Sequence, residues 1–499
     1  MSRLLGLARE VLIAALLSTS YVTDAFYIAL RLPNMFRRIF GEGAFNSAFV
    51  PMFGRELAEG RIEEAHQIGR MAFSWLGGVL ILGTLIIIPG MPWFAKILAL
   101  KADKETFALV VAYGRIMFSY LLCMALAAHL SGVLNSLNIF SAPAFAPVLL
   151  NVMMLVVLAV VVPVAHLQGD LPAIGTWLSW SVCLAGFAQL GLLWIVTWRK
   201  GVKIYPIIPK MSPKMKRLFV LMGPGVVAAG IQQINLLIGT MVASSEKSAV
   251  SAITFAERLF QMPNGKIGAA YGVVLLPELT KLLRNGDQVG ANDSVGRGIF
   301  FSMLLTLPAA LAFLVAPAAF VGPLYQRVNF TIDDTLLVSP VLSAFALGLP
   351  AYVLIKVLQA GYFARENTLS PMKLALITAT IGALASVVLF HYLGPLGIGL
   401  STSIAGWVNV VLLAKGLRGS MGLTRARIGQ LARIFLSAVV MGGVVWLGAQ
   451  WLEDWFLGVQ WQRIAAMLIL VAIGGIAYGI LIFLTKATSL SELKAGFRR

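Results

Sequence analysis

Between Asp24 and Glu56 the chain reads DAFYIALRLPNMFRRIFGEGAFNSAFVPMFGRE, which places Arg31, Arg37 and Arg38, with Asp24 and Glu42, in a segment otherwise apolar enough for a bilayer. An arginine at the bilayer centre costs roughly 2.5–3.5 kcal/mol, so three of them this close together require partners, a water-filled cavity or a substrate. Clustered guanidinium groups in a low-dielectric cleft favour a multivalent anion, because each planar fork grips phosphate or carboxylate oxygens in pairs. Asp24, Glu42 and Glu257 supply the counter-charges that hold such a site when it is empty. Arg37 and Arg38 point about 100° apart on a helix, so one faces the cleft and the other a headgroup or a neighbour. Pro33 and the Gly41/Gly43 pair interrupt the helix at this point.

Other chemistries find little support. His66, His129, His166 and His391 are scattered, with no spacing that builds a metal site or a catalytic dyad. Cys123 and Cys183 lie in apolar runs and read as buried structural thiols rather than ligands or a disulfide framework. No nucleotide-binding motif is present, so ATP is not expected as the direct energy source. No cofactor or metal is expected, and a phosphoryl-transfer enzyme would need clustered acids or histidines that the loops do not supply.

The elements that must position the charges are membrane helices. Of the 499 residues 59% are hydrophobic and only 12% charged, and the mean hydropathy is +0.87, which describes an all-α polytopic membrane protein. Apolar runs of spanning length fall at about 2–18, 24–54 (broken), 71–95, 106–133, 142–164, 172–198, 218–244, 249–280 (broken), 298–322, 335–363, 370–391, 394–414, 435–452 and 460–485, about fourteen helices. Alternate connections (55–70, 199–217, 281–297, 364–373, 415–434 and 486–499) hold most of the 39 Lys and Arg, whereas the opposite set holds Lys96, Lys101, Lys104, Lys247, Arg327 and Arg463. Both termini are therefore expected in the cytoplasm. The net charge of +18 reads as topology and attraction to anionic membrane lipids rather than as a nucleic-acid footprint. The remaining cations, Arg3, Arg9, Arg31, Arg37, Arg38, Arg115, Arg258, Lys266 and Lys356, fall within spans.

A repeat organises the spans. ALRLPNMF upstream of FVPMFGREL corresponds to AERLFQMPNG upstream of LLPELTKLL, and VLNSLNIFSAP to VLQAGYFARENTLSP, pairing Arg31 with Arg258, Pro51 with Pro277 and Pro143 with Pro371 at a nearly constant offset. Six helices separate the copies, so the repeats run parallel about a pseudo-twofold axis along the membrane normal. The expected organisation is an N-lobe at 1–200 (helices 1–6), a basic cytoplasmic linker at 201–217, a C-lobe at 218–418 (helices 7–12), and helices 13–14 with a cytoplasmic tail at 419–499. Transporter sites form at such repeat interfaces, so Arg31 and Arg258 are expected to face each other across a central cationic cavity, with Arg9, Arg37 and Arg38 added by the first lobe. Gln232, Gln233 and Asn235 could line the cleft or act as interhelical glue.

SRLLGLAREVLIA (2–14), TDAFYIALRLPNMFRRIFGEGAFNSAFVP (23–51), LNSLNIFSAPAFAPVLLN (134–151) and ERLFQMPNGKIGAA (257–270) resemble the MurJ/MviN family, the lipid II flippases of bacterial cell-wall synthesis. The resemblance covers essentially the whole chain. It implies the fold of the multidrug/oligosaccharidyl-lipid/polysaccharide exporter superfamily, with the last two helices forming a groove for the polyprenyl tail. It also implies that Arg3, Arg9, Arg37 and Arg258, with Asp24 and Glu42, are the functional cavity charges, favouring Arg37 over Arg38. Relatives usually carry a longer stretch before SRLLGLARE, so helix 1 is expected to be short or its start misassigned. A sodium site assigned in some members draws on acidic or amide side chains of helices 7 and 11; 370–391 has none, so a like site is not expected here.

The expected function is alternating-access translocation of lipid II, undecaprenyl-pyrophosphate-linked disaccharide-pentapeptide, across the cytoplasmic (inner) membrane by a monomeric transporter that is not an enzyme. The arginines would hold the pyrophosphate while the tail stays in lipid. Carriage of another polyprenyl-linked glycan would use the same charges. A multidrug antiporter would fit a less cationic cleft.

Overall fold

A computed structural model describes the backbone of residues 2–36, 45–489 and 492, and the side chains within those ranges outside 2–3, 36, 45–47, 223–236 and 266–274. Among the described residues the regular structure is all helical: α1 (Ser2–Leu17), α2 (Tyr21–Phe36), α3 (Phe45–Ala58), α4 (Ile62–Ile87), α5 (Met91–Leu98), α6 (Lys104–Met117), α7 (Ser119–Ser136), α8 (Ser141–Val156), a π turn (Val157–Val161) running into α9 (Val162–Val164), and α10 (Leu171–Arg199). The second part holds α11 (Pro213–Ala243), α12 (Ala249–Arg284), α13 (Gln288–Val315), α14 (Ala318–Tyr325), α15 (Ile332–Ala346), α16 (Leu349–Phe363), α17 (Leu369–Leu393), α18 (Pro395–Gly416), α19 (Arg425–Trp451), α20 (Glu453–Leu457) and α21 (Gln460–Leu484). Among the described residues ten helical segments are long and apolar enough to cross a membrane. The four further segments that the sequence marks as spans, α1, α2 with α3, α11 and α12, are helical as well.

Side chains start several of these helices. Asp103, Asp170 and Asp287 accept the backbone N–H of Thr106, Ala173 and Gly290 at 3.0, 3.0 and 2.8 Å, and Ser212 accepts that of Met215 at 3.2 Å. Each satisfies an amide that the first helical turn leaves without a partner. The sequence places a break in 249–280; instead α12 runs unbroken from Ala249 to Arg284 with Pro263 and Pro277 inside it. A proline removes one hydrogen bond and bends a helix, and neighbouring packing can carry the helix through. The proposed bend at Gly41 and Gly43 lies outside the described residues.

The internal repeat is written in the backbone. Asn138 and Glu366, at equivalent places in the two copies, both have φ of 60°. Ile139 N donates to Leu134 O at 2.9 Å and Asn138 N to Asn135 O at 3.0 Å; in the second copy, Asn367 N donates to Tyr362 O at 3.1 Å and Glu366 N to Phe363 O at 2.9 Å. Both sets are the paired closing bonds of a Schellman helix end. Gly60 and Gly286 close α3 and α12 with φ of 75° and 76°, a left-handed conformation that glycine adopts without a Cβ clash. The short helices α5 and α14 also occupy equivalent places and have the same length.

Two compact units divide the described chain, 1–251 and 252–499. In the first, α10 packs on α6, α7 and α8, α1 on α8, α2 on α6, and α11 on α3 and α4. Phe49, Phe53, Leu130, Val133 and Ile204 are buried there, and both cysteines are buried and free. In the second, α13 packs on α15, α16 and α19, α18 on α15, α16 and α17, and α21 on α14 and α19.

Small residues set the close approach of helices. A Cβ added at Gly186 on α10 would lie 2.8 Å from Tyr120 Cδ2 and 3.0 Å from Cys123 Cβ of α7, whereas one at Gly191 would meet nothing within 4 Å. Gly186→Val should therefore lower stability by about 1–3 kcal/mol through overpacking. Gly191→Ala should leave the melting temperature in detergent unchanged or slightly raised.

Candidate functional site

Arg9 lies on α1, and only 9% of it is exposed. Its Nη1 donates to Asn151 Oδ1 of α8 at 2.9 Å, and its Nη2 donates to the carboxylate of the adjacent Glu10. Glu10, 1% exposed, also accepts the hydroxyl of Tyr27 on α2 at 2.5 Å. Three helices thus contribute to one buried polar cluster. Arg9 Nε is buried and has no hydrogen-bond partner among the described residues. Buried ionic groups are retained when they are paired and hydrogen-bonded, and this cluster leaves one charged donor unassigned.

Asp24 on α2 is placed differently from the arginine counter-charge that the sequence suggests. It is 3% exposed, and its two carboxylate oxygens accept the backbone N–H groups of Ser248 and Ser251, each at 2.7 Å. These amides open α12, so the carboxylate satisfies a helix N-terminus and meets the positive end of its dipole. Ser248 Oγ donates to Thr19 O in the α1–α2 turn, and Lys247 pairs with Asp103 at 2.9 Å. The connection from α11 to α12 is therefore tied to the α1–α2 turn and to the start of α6.

Arg31 is half-buried on α2, and Glu257 and Arg258 are half-buried on α12. Glu257 accepts Gln261 Nε2 at 2.7 Å. Lys356 on α16 donates from Nζ to the carbonyl and side-chain oxygens of Asn264 at 3.2 and 3.1 Å, so this lysine engages the Pro263–Gly265 stretch of α12. Arg37 and Glu42, with Arg38, lie outside the described residues, as do the side chains of Arg3, Lys266, Gln232, Gln233 and Asn235. Glu10, Tyr27 and Asn151 are not among the residues that the sequence singles out. The signal for Glu10 was an acid next to an arginine within a span; for Asn151 it was an amide in an otherwise apolar helix.

At the end that the loop charges assign to the cytoplasm, Glu56 closes α3 with Arg61 at 2.5 Å and Lys214 at 2.8 Å, and Lys214 reaches Glu64 at 2.6 Å. The linker that follows α10 is laid along α4. Arg70 Nε donates to Lys203 O at 2.9 Å, Ile207 N to Ser74 Oγ at 2.8 Å, and the Arg70 guanidinium sits 4.5 Å from the centre of the Tyr205 ring. Hydrogen bonds from Arg61 and Lys214 hold the Glu56 carboxyl well below its ordinary range, at about 2.

Solved structures share this architecture. An inward-facing multidrug resistance MATE family transporter of the MOP superfamily aligns with a TM-score of 0.69 over 87% of this chain and 96% of that one, at 14% identity. The fold is thus that of polytopic helical membrane transporters. A lipid II flippase MurJ in an inward closed conformation aligns with a TM-score of 0.78 and 25% identity over 96% of each chain. The probable lipid II flippase MurJ of Rhizobium tropici is 38% identical over 100% of this chain and 94% of its own. That of Rhizobium meliloti is 41% identical over 90% and 85%. The family model "Lipid II flippase MurJ" matches residues 13–466. The chain belongs to the lipid II flippase MurJ family, and it is a multi-pass protein of the bacterial cytoplasmic membrane.

Because the folded state lowers the Glu56 pKa from 4.5 to about 2, its ion pairs contribute fully above pH 4.5 and are lost as pH falls towards 2. Glu56→Gln should lower the melting temperature in detergent at pH 7, and the gap to the unmodified protein should close as pH is lowered through that window. A gap independent of pH would contradict the assignment.

Proposed function

We propose that this protein moves lipid II from the inner to the outer leaflet of the cytoplasmic membrane by alternating access. The buried cluster around Arg9 carries the reading: an arginine on a membrane helix, held by Asn151 and Glu10, keeps a charged donor at Nε without a partner among the described residues. A guanidinium presented in this way suits the oxygens of a pyrophosphate. Arg258 and Arg31 on equivalent helices, together with Arg3 and Arg37, are proposed to complete the anion-binding set, with Glu42 as a counter-charge. Asp24 acts by fixing the start of α12.

Arrangement of 1–200 and 218–418 as repeated lobes, joined by 201–217, accords with the helix ends that recur in the two copies. Residues 419–499 supply α19 and α21, beside which the polyprenyl tail is proposed to remain in lipid. Both termini are assigned to the cytoplasm by the loop charges. The protein is read as a monomeric transporter rather than an enzyme, with membrane lipids as its other partners. The likeness to multidrug transporters is one of fold alone, and a cleft rich in arginine would repel organic cations.

The test is charge removal in a cell depleted of its own flippase, scored by lipid II reaching the outer leaflet. Arg9→Ala and Arg258→Ala should each reduce it by about tenfold or more, as expected when a buried charged contact of roughly 1.5–3 kcal/mol is lost. Full rescue by both variants would overturn the anion site.

A further inference from the structure

We propose that Asn151 is a positioning residue for substrate capture, and that Tyr27 assists it through Glu10. Together they fix Arg9 so that its Nε edge is presented to the substrate's pyrophosphate. This rests on the reading of Arg9 as a residue that meets lipid II.

A buried arginine in a membrane span must be held by polar partners. A guanidinium on an isolated helix would snorkel towards water or a headgroup, yet Arg9 is buried and held at both terminal nitrogens. The two restraints differ in charge. A carboxylate at position 151 would add a negative charge beside Arg9 and disfavour an anion there. Asn151 supplies an acceptor at 2.9 Å with no charge. Its amide is oriented with Nδ2 towards the Pro147 carbonyl at 3.5 Å and Oδ1 towards Arg9. Tyr27 donates to the second carboxylate oxygen of Glu10, which draws charge away from the oxygen facing Arg9 and fixes the rotamer of the acid.

The helix that carries Asn151 is itself shaped. Pro147 lies one turn before it, within α8, and the π turn Val157–Val161 follows; such turns are concentrated at functional sites. A purely structural amide would tie α8 to α1 and would leave substrate affinity alone. Here the amide is bonded to the same guanidinium whose Nε has no partner among the described residues. Nε is itself buried, so a pyrophosphate oxygen reaches it in a state in which the surrounding helices part; there it would meet a donor whose orientation is already fixed, and little ordering would remain to be done on binding.

The test uses the full-length protein, with lipid II binding measured in detergent and the initial rate of labelled lipid II translocation measured in proteoliposomes. Asn151→Ala should raise the half-saturating lipid II concentration about tenfold, the loss of one charged hydrogen bond, and leave the maximal rate within about threefold. Asn151→Asp keeps shape and acceptor but adds charge, and should weaken binding at least as much. Tyr27→Phe, which removes one oxygen, should weaken it about threefold. In an Arg9→Ala background neither Asn151→Ala nor Tyr27→Phe should cause further loss, because residues acting through one partner are non-additive.

Unchanged half-saturation in both Asn151 variants, or an undiminished further loss in the Arg9→Ala background, would overturn the positioning role. Arg9→Ala binding and translocating lipid II as the unmodified protein does would instead overturn the reading of Arg9 itself.

Discussion

The cost of placing ionised groups in hydrocarbon governs the arrangement of this protein. Arg9 takes an amide and a carboxylate, Asp24 takes two backbone amides, and Lys356 takes two oxygens of one asparagine. Each arrangement meets the charge with fixed polar groups and ties a helix at the same time, with Arg9 Nε left over. Groups that must be held this firmly are also pre-organised, which is what recognition of a charged lipid headgroup in a bilayer demands.

The repeat supplies the scaffold, and departures from it supply the chemistry. The Schellman ends at Asn138 and Glu366 and the glycine ends at Gly60 and Gly286 agree closely in backbone conformation. The side chains around them do not follow the repeat. The Arg9 cluster belongs to α1, α2 and α8, and the equivalent positions of α11, α12 and α17 carry Leu236, Leu237, Thr254 and Ala379 in place of Arg9, Glu10, Tyr27 and Asn151. Turn geometry tolerates little variation, so the helix ends recur, whereas the side chains of the Arg9 cluster do not.

Much of the architecture was legible in the sequence because hydropathy and repeat spacing are local properties. Pro51 with Pro277 and Pro143 with Pro371 set the same offsets that the backbone later shows. Continuity of α12 was not legible, since a proline inside a helix and a proline ending one look alike until the packing around them is known. The sequence suggests Asp24 as a partner for arginine, but its acceptors are met by amides 224 and 227 residues away. Asn151 lies 142 residues from Arg9, and nothing in its own neighbourhood announces that contact. Arg37 and Glu42, expected from the sequence at the centre of the site, lie outside the described residues.

The central claim is that cationic side chains on the membrane helices recognise the pyrophosphate rather than the tail or the sugars. Competition against labelled lipid II bound to the purified protein tests this most directly, using undecaprenyl pyrophosphate and undecaprenol as rivals with the same tail. Undecaprenyl pyrophosphate should compete at least about tenfold more strongly than undecaprenol, a difference of roughly 1.4 kcal/mol, and Arg9→Ala should abolish the difference. Equal competition by the two lipids, or a preference for pyrophosphate that survives Arg9→Ala and Arg258→Ala together, would contradict the claim.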